Sequence, residues 1–157
     1  MEESVTALPA VDSSRVSDCR LCALETATDE PPGGWVYRDE HWSLGVLPGL
    51  EVPGWLVVQS RPHVETLWDV AKEGTDTLGT LLAMTSREIQ RELEAEHVYL
   101  LAFGETMAHW HMLIAATPDG LTPDLRGAHL LANSRNFLDA DAAVRVAGVV
   151  RDGLAAA

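Results

Sequence analysis

The chain has 157 residues, 46% of them hydrophobic, so it is long enough to bury one ordinary core and too short for two comfortable domains. Its 24 acidic residues against 11 basic ones give a net charge of −13, and the bases form no cluster, with Lys72 the single lysine. A field of that sign repels nucleic-acid backbones and anionic bilayers, so neither is an expected partner.

Residues 1–18 mix Ser, Pro and acidic residues with scattered small apolar ones and read as a flexible N-terminal arm. No basic stretch followed by an apolar run is found there. Nowhere does the chain approach the roughly 18 consecutive apolar residues that span a bilayer, so a cytoplasmic protein is expected. Cys19 and Cys22 follow in CRLC. Two cysteines are too few for a disulfide scaffold, and in a reducing compartment their spacing suits a metal or a redox pair. After PPGG at 31–34 come WVYRD and WSLGVLP, two β-rich runs separated by Glu40 and His41, which predict a hairpin. A third strand, WLVVQSR, is predicted over 55–61 between Pro53-Gly54 and Pro62.

From Thr75 to about His97, the residues Leu78, Leu81, Leu82, Ile89 and Leu93 recur at three- and four-residue steps. That period predicts one long helix with a buried face, capped by Thr75 or Asp76. VYLLAFGE and HWHMLIAA are two further strand-like runs with a short turn at Thr106-Met107 between them. Residues 118–137 are loop-rich, and AAVRVAGVVRDGL at 142–154 predicts a final helix weakened by Gly148. The sum is an α+β fold, a five-stranded antiparallel meander sheet with one long helix and a C-terminal helix. The main domain is expected over 19–137, with 138–157 as a helix packed on it or extending it.

In HWHML a strand places His109, His111 and Leu113 on one face and Trp110 and Met112 on the other, because side chains alternate. Neutral imidazole is both a nucleophile at phosphorus and a zinc ligand, so the histidine pair suits either task. Two polar residues on a solvated strand face are the plain alternative.

HWHMLIA at 109–115 resembles the motif of the histidine-triad (HIT) superfamily of nucleotide-binding hydrolases and transferases, in which three histidines alternate with apolar residues. Six of seven motif positions fit. The CxxC, the strand pair around DEHW, the segment PGWLVVQSRPH and TPDLRG at 122–127 fall in the family's order, so the resemblance covers about 19–127. It implies a HIT-like fold, a homodimer, and one structural zinc per chain held by Cys19, Cys22, His63 and His109, with no position left for water. It further implies that His111 attacks the α-phosphorus and carries a nucleotidyl intermediate. His41, His97 and His129 are expected to be ordinary, and the five tryptophans to fill core or interface.

The phosphate-handling half departs from that pattern. The third histidine is Leu113, and a Gln that commonly lies near the phosphate is matched by Glu105, whose charge opposes an anion unless protonated. A hydroxyl is retained at Thr106, whereas the acidic residue that holds the ribose falls at Leu47-Pro48. The expected site is therefore His111 and Glu105 as catalytic residues, with Thr106, Leu113 and Leu47 against the substrate. Three functions stay open. One is a nucleotide hydrolase or transferase acting at a phosphoramide, phosphoanhydride or ester with a degenerate triad. Another is a repurposed HIT scaffold doing acid/base chemistry on a non-nucleotide metabolite, and the third is a non-catalytic dimeric binding protein.

Overall fold

A computed structural model describes residues 18–27 and 30–157, so the arm expected over 1–18 lies, apart from Asp18, outside the described residues. Cys19 caps the short helix α1 (Arg20–Thr26), its Sγ accepting from the Cys22 amide at 3.4 Å. β1 (Tyr37–Arg38) and β2 (Trp42–Gly45) form the expected hairpin. Asp39 fixes its turn, because Oδ1 accepts from the amides of His41 and Trp42, each at 2.7 Å. β3 (Trp55–Ser60) pairs antiparallel with β2 and is buried at every residue. Cover on both faces is why WLVV is continuously apolar rather than alternating.

The long helix α2 runs Lys72–Leu93, starting before the expected Thr75 and ending before His97. Ala71 at its N-cap makes no side-chain cap, so the true start carries no capping signature in the sequence. Its first turn is fixed from outside. Trp42 Nε1 donates to the Gly74 carbonyl at 2.9 Å, and a Cβ on Gly74 would stand 3.0 Å from the His41 side chain. At the other end Glu94 takes the left-handed conformation, φ 50°, and terminates the helix.

β4 (Val98–Leu101) and β5 (His111–Ala116) complete a five-stranded antiparallel sheet in the order β1-β2-β3-β5-β4. The order departs from a simple meander at one point. A strand followed by a long helix cannot return through a tight hairpin, so α2 carries the chain to the far edge and β5 then fills the gap between β3 and β4. The link between β4 and β5 is the whole of 102–110 rather than a two-residue turn.

Side-chain alternation along β5 holds from His111 onward. Met112, Ile114 and Ala116 face a core that contains Leu78, Leu81 and Ile89 of α2 and Val146, Ala147 and Val150 of α4 (Ala140–Ala155). Asp139 caps α4 by accepting from the Ala142 amide at 3.0 Å, which starts the helix at 140 rather than 142. Leu113 and Ala115 lie in a second core with Trp55, Val57 and Leu130, flanked by Leu121, Leu131 and Phe137. The segment 118–137 is thus a cover for the second face of the sheet, built from α3 (Ala128–Ala132) and two single 3-10 turns. Its elements are too short for an apolar period to be legible. Trp42, Trp55 and Trp110 are buried as expected, whereas Trp68 is 83% exposed. Among the described residues no helix is long and apolar enough to cross a membrane.

Candidate metal centre and the histidine at the strand end

Cys19, Cys22, His63 and His109 come from α1, from the segment after β3 and from the residues just before β5, yet their ligand atoms all lie within 4.8 Å of one another. Cys19 Sγ is 3.3 Å and Cys22 Sγ 3.4 Å from His109 Nδ1, and Cys22 Sγ is 3.1 Å from His63 Nδ1. Thiolate–metal bonds near 2.3 Å and imidazole–metal bonds near 2.0 Å, set tetrahedrally, imply ligand separations of about 3.3–3.8 Å. The three short separations, 3.1–3.4 Å, lie at the low end of that range or just below it, and the donor set matches such an ion in chemistry.

The two imidazoles are prepared differently. His109 is buried, and its Nε2–H donates to the Ser60 carbonyl at 2.6 Å, which leaves the Nδ1 lone pair aimed at the thiols. Burial also pushes the His109 pKa down, holding the ring in the neutral form that a metal binds. His63 has no such support, because its Nε2 is buried without a hydrogen-bond partner among the described residues. The Cys22 thiol is pushed up to about 12 by burial first, then by Cys19 beside it and by the charge of Glu25. A cation at the centre would supply the opposite field and favour the thiolates.

Glu25 is a member of this corner that the sequence reading did not single out. Its carboxylate accepts from Gln59 Nε2 at 2.8 Å and Arg38 Nη2 at 2.6 Å, with Arg61 Nε at 3.4 Å. Gln59 Nε2 also reaches the Leu21 carbonyl at 3.2 Å, so α1 is tied to β3 independently of the cysteines. A signal for Glu25 did exist. It follows Cys22 by three residues in CRLCALE, which on a helix puts both on one face.

His111 begins β5, directly opposite Gln59 of β3. Its Nδ1 is 2.7 Å from the His109 carbonyl oxygen. A carbonyl can only accept, so Nδ1 carries the proton and Nε2 keeps the lone pair. The ring is half-buried, on the face that Leu113 and Ala115 continue. Leu113 is sealed in the second core, Leu47 packs at the margin of the same cluster, and Glu105 and Thr106 are exposed on the 102–110 connection.

Comparison with solved structures finds this arrangement of strands and helices elsewhere. A HIT-like protein involved in cell-cycle regulation from Bartonella henselae, solved with an unknown ligand, matches with a TM-score of 0.66 at 14% identity, over 92% of this chain and 99% of that one. This chain has the HIT-like fold. A Zn-bound histidine triad family protein from Mycobacterium smegmatis matches with a TM-score of 0.64 at 17% identity, over 90% of this chain and 96% of that one. A hypothetical histidine triad nucleotide-binding protein from Sulfolobus tokodaii gives 0.64 at 19% identity, over 88% and 93%. No family model and no curated protein matches the sequence. The five-stranded α+β expectation and the resemblance to the HIT superfamily are thus both borne out at the level of the fold.

Proposed function

We propose that this protein is a HIT-like hydrolase or transferase that works at phosphorus, with His111 as its nucleophile. The observation that carries the reading is the anchored Nδ1–H of His111, which leaves Nε2 as a lone pair at the end of a strand. In the proposed step Nε2 bonds to the α-phosphorus of a nucleotide phosphoramide as the P–N bond breaks. The departing amine takes up a proton, for which Glu105 is the candidate donor. Water then attacks the nucleotidyl–histidine, its proton passing to the Glu105 carboxylate as the P–N bond to His111 breaks, and the free imidazole returns. Thr106 is the candidate hydroxyl beside the phosphate.

The metal in this reading is zinc, one per chain, and structural. Two thiolates and two imidazoles close the tetrahedron, so no position remains for water or substrate. A homodimer also belongs to the proposal. β4 forms an edge of the sheet, and Leu100 within it and Phe103 just past it are 47% and 53% exposed, a strand edge that calls for cover. Light scattering at micromolar concentration should report about twice the 17.0 kDa of the chain.

A second reading has its own observation. Leu113, which stands where the motif has its third histidine, is buried in the second core with Leu130. That half of the face presents no donor to a phosphate, which favours a compact non-nucleotide metabolite handled by Glu105 and His111 as an acid/base pair. A thermal-shift screen with nucleoside monophosphates, followed by turnover of an adenosine phosphoramidate, separates the two. Stabilisation by a nucleotide and a loss of at least roughly 10³-fold in turnover for His111→Ala support the first reading. No stabilisation and no turnover by the wild type discard it.

A further inference from the structure

The two faces of the sheet are covered in different ways. One lies under the long helices α2 and α4, which share a single core with it. The other lies under 118–137, which adds no strand and holds no element longer than the five residues of α3. We propose that 118–137 is a self-inhibiting strap, which lifts as one unit between Thr117 and Asp139 and uncovers an apolar surface beside His111. As regulation of catalysis this rests on His111 being the reactive group. The lifting itself does not.

Both ends of the segment are fixed. The Thr117 amide donates to the His97 carbonyl at 2.9 Å, and its hydroxyl accepts from the His97 amide at 3.1 Å. At the other end the Asp139 amide donates to the Glu51 carbonyl at 2.8 Å while its carboxylate caps α4. Between them the backbone hydrogen bonds are local, as from the Leu125 amide to the Thr122 carbonyl and from the Asn133 amide to that of His129, so they do not need the sheet. Among the described residues one polar contact leaves the segment, Arg126 Nη2 to Glu96 Oε2 at 2.7 Å, and an ion pair at the surface contributes little. What fastens the middle is apolar. Leu130 is the one residue of 118–137 that is fully buried, and Leu121, Leu131 and Phe137 pack partly buried against the same cluster.

One short helix and two 3-10 turns do not stand alone, so loss of the Leu130 contact releases the whole segment. β3 and β5 keep their ladder when it goes, because no residue of 118–137 pairs with either strand. A segment with few buried apolar contacts and only local hydrogen bonds opens at a smaller cost than the domain unfolds. The surface it uncovers includes Trp55, Val57, Leu113 and Ala115, and Leu113 is the residue that follows His111 on that face of β5. In the closed form Leu130 lies on this surface. An apolar group of a ligand held at His111 therefore competes with Leu130 for the same place, and the strap decides when that place is free.

The test reads access to each face separately, in the full-length protein with zinc in solution. Ala115 and Ala116 are neighbours on β5, 0% and 2% exposed, Ala115 under 118–137 and Ala116 under the helices. Ala115→Cys and Ala116→Cys are each treated with an excess of a thiol reagent. Labelling is read by peptide mass, which keeps Cys19 and Cys22 apart from the new thiol. At 115 it should be at least roughly 10²-fold faster than at 116, yet far slower than in a short peptide. Val150→Ala, in the first core, weakens the closed and strap-open forms alike, so it should speed labelling at 116 and leave 115 unchanged. Equal rates at the two positions, or an equal effect of Val150→Ala on both, overturn the inference. Labelling at 115 as fast as in a short peptide overturns it too, since nothing is then closed. Should either variant fail to fold, Val57→Cys and Ala147→Cys, buried under the same two covers, take their places with the same outcomes. No substrate enters the measurement. A protein inert towards every nucleotide phosphoramide that still labels in this way loses the proposed function and keeps the strap.

Discussion

The metal corner and the stretch of sheet beside it both adjoin β3 and β5, but they differ in how they satisfy polar groups. At the corner, four candidate ligands from three segments converge within 4.8 Å, and Ser60 and the Glu25 cluster support them. Two residues along β5 from His111, Leu113 is closed into an apolar cluster, while Glu105 and Thr106 lie outside on the 102–110 connection. The difference teaches that Leu113 is a packing residue in this chain. It packs in a face covered by the chain's own segment 118–137, where an imidazole would be buried at a cost unless it found a hydrogen-bond partner.

The strongest way to break this contrast is to remove the metal. The Cys19→Ser, Cys22→Ser double variant should bind no zinc by elemental analysis and should lose several kcal/mol, a part of the roughly 10–16 kcal/mol that structural zinc gives small finger peptides. At about 2–4 °C per kcal/mol for a chain of this size, a loss of about 4 kcal/mol lowers Tm by roughly 10 °C. A wild type purified without metal and fully folded would show that the corner stands on the Glu25 contacts alone.

Leu113 gives the next largest effect and sharpens the other side of the comparison. Leu113→Ala should cost about 2–5 kcal/mol in urea unfolding, as cavities in buried apolar sites do. Leu113→Met should cost less than about 1.5 kcal/mol because it conserves volume. Unchanged stability in Leu113→Ala, together with an altered response to nucleotides, would place Leu113 in a binding pocket and undo its assignment to the core.

The smallest expected effect belongs to the outer support of the metal corner. Asp39 is raised by its burial, but hydrogen bonds from the Trp42 amide, the Tyr37 hydroxyl and the His41 amide outweigh that and leave its pKa lowered. A carboxyl depressed in the folded state contributes stability that is fully present above the unfolded value, about 3.9, and is lost as pH falls through the lower folded value. Asp39→Asn should therefore cost about 1 kcal/mol at neutral pH and flatten the loss of stability below about pH 4. Urea midpoints from pH 2 to 7 read this, and identical acid limbs in the two proteins would remove Asp39 from the account. Arg61 Nη1 holds the Asp39 carbonyl at 2.6 Å and Arg61 Nε contacts Glu25, so the same variant asks whether the hairpin turn and the metal corner are coupled.

By itself the sequence determined the alternation from His111 onward and the helical period of Leu78, Leu81 and Ile89, which rest on residue type and spacing alone because a period does not depend on what lies across the fold. The set Cys19, Cys22, His63 and His109 came from the resemblance to the HIT superfamily, since spacing alone pairs only the two cysteines. Tertiary structure decided the rest. It placed β5 between β3 and β4, started α2 at Lys72 under Trp42, laid 118–137 over the second face, and made Glu25 the partner of Gln59, Arg38 and Arg61. It also set the His109 ring beside both thiols and the His109 carbonyl beside His111 Nδ1. Every residue owns the same carbonyl, so only its position in the folded chain decides what that carbonyl meets.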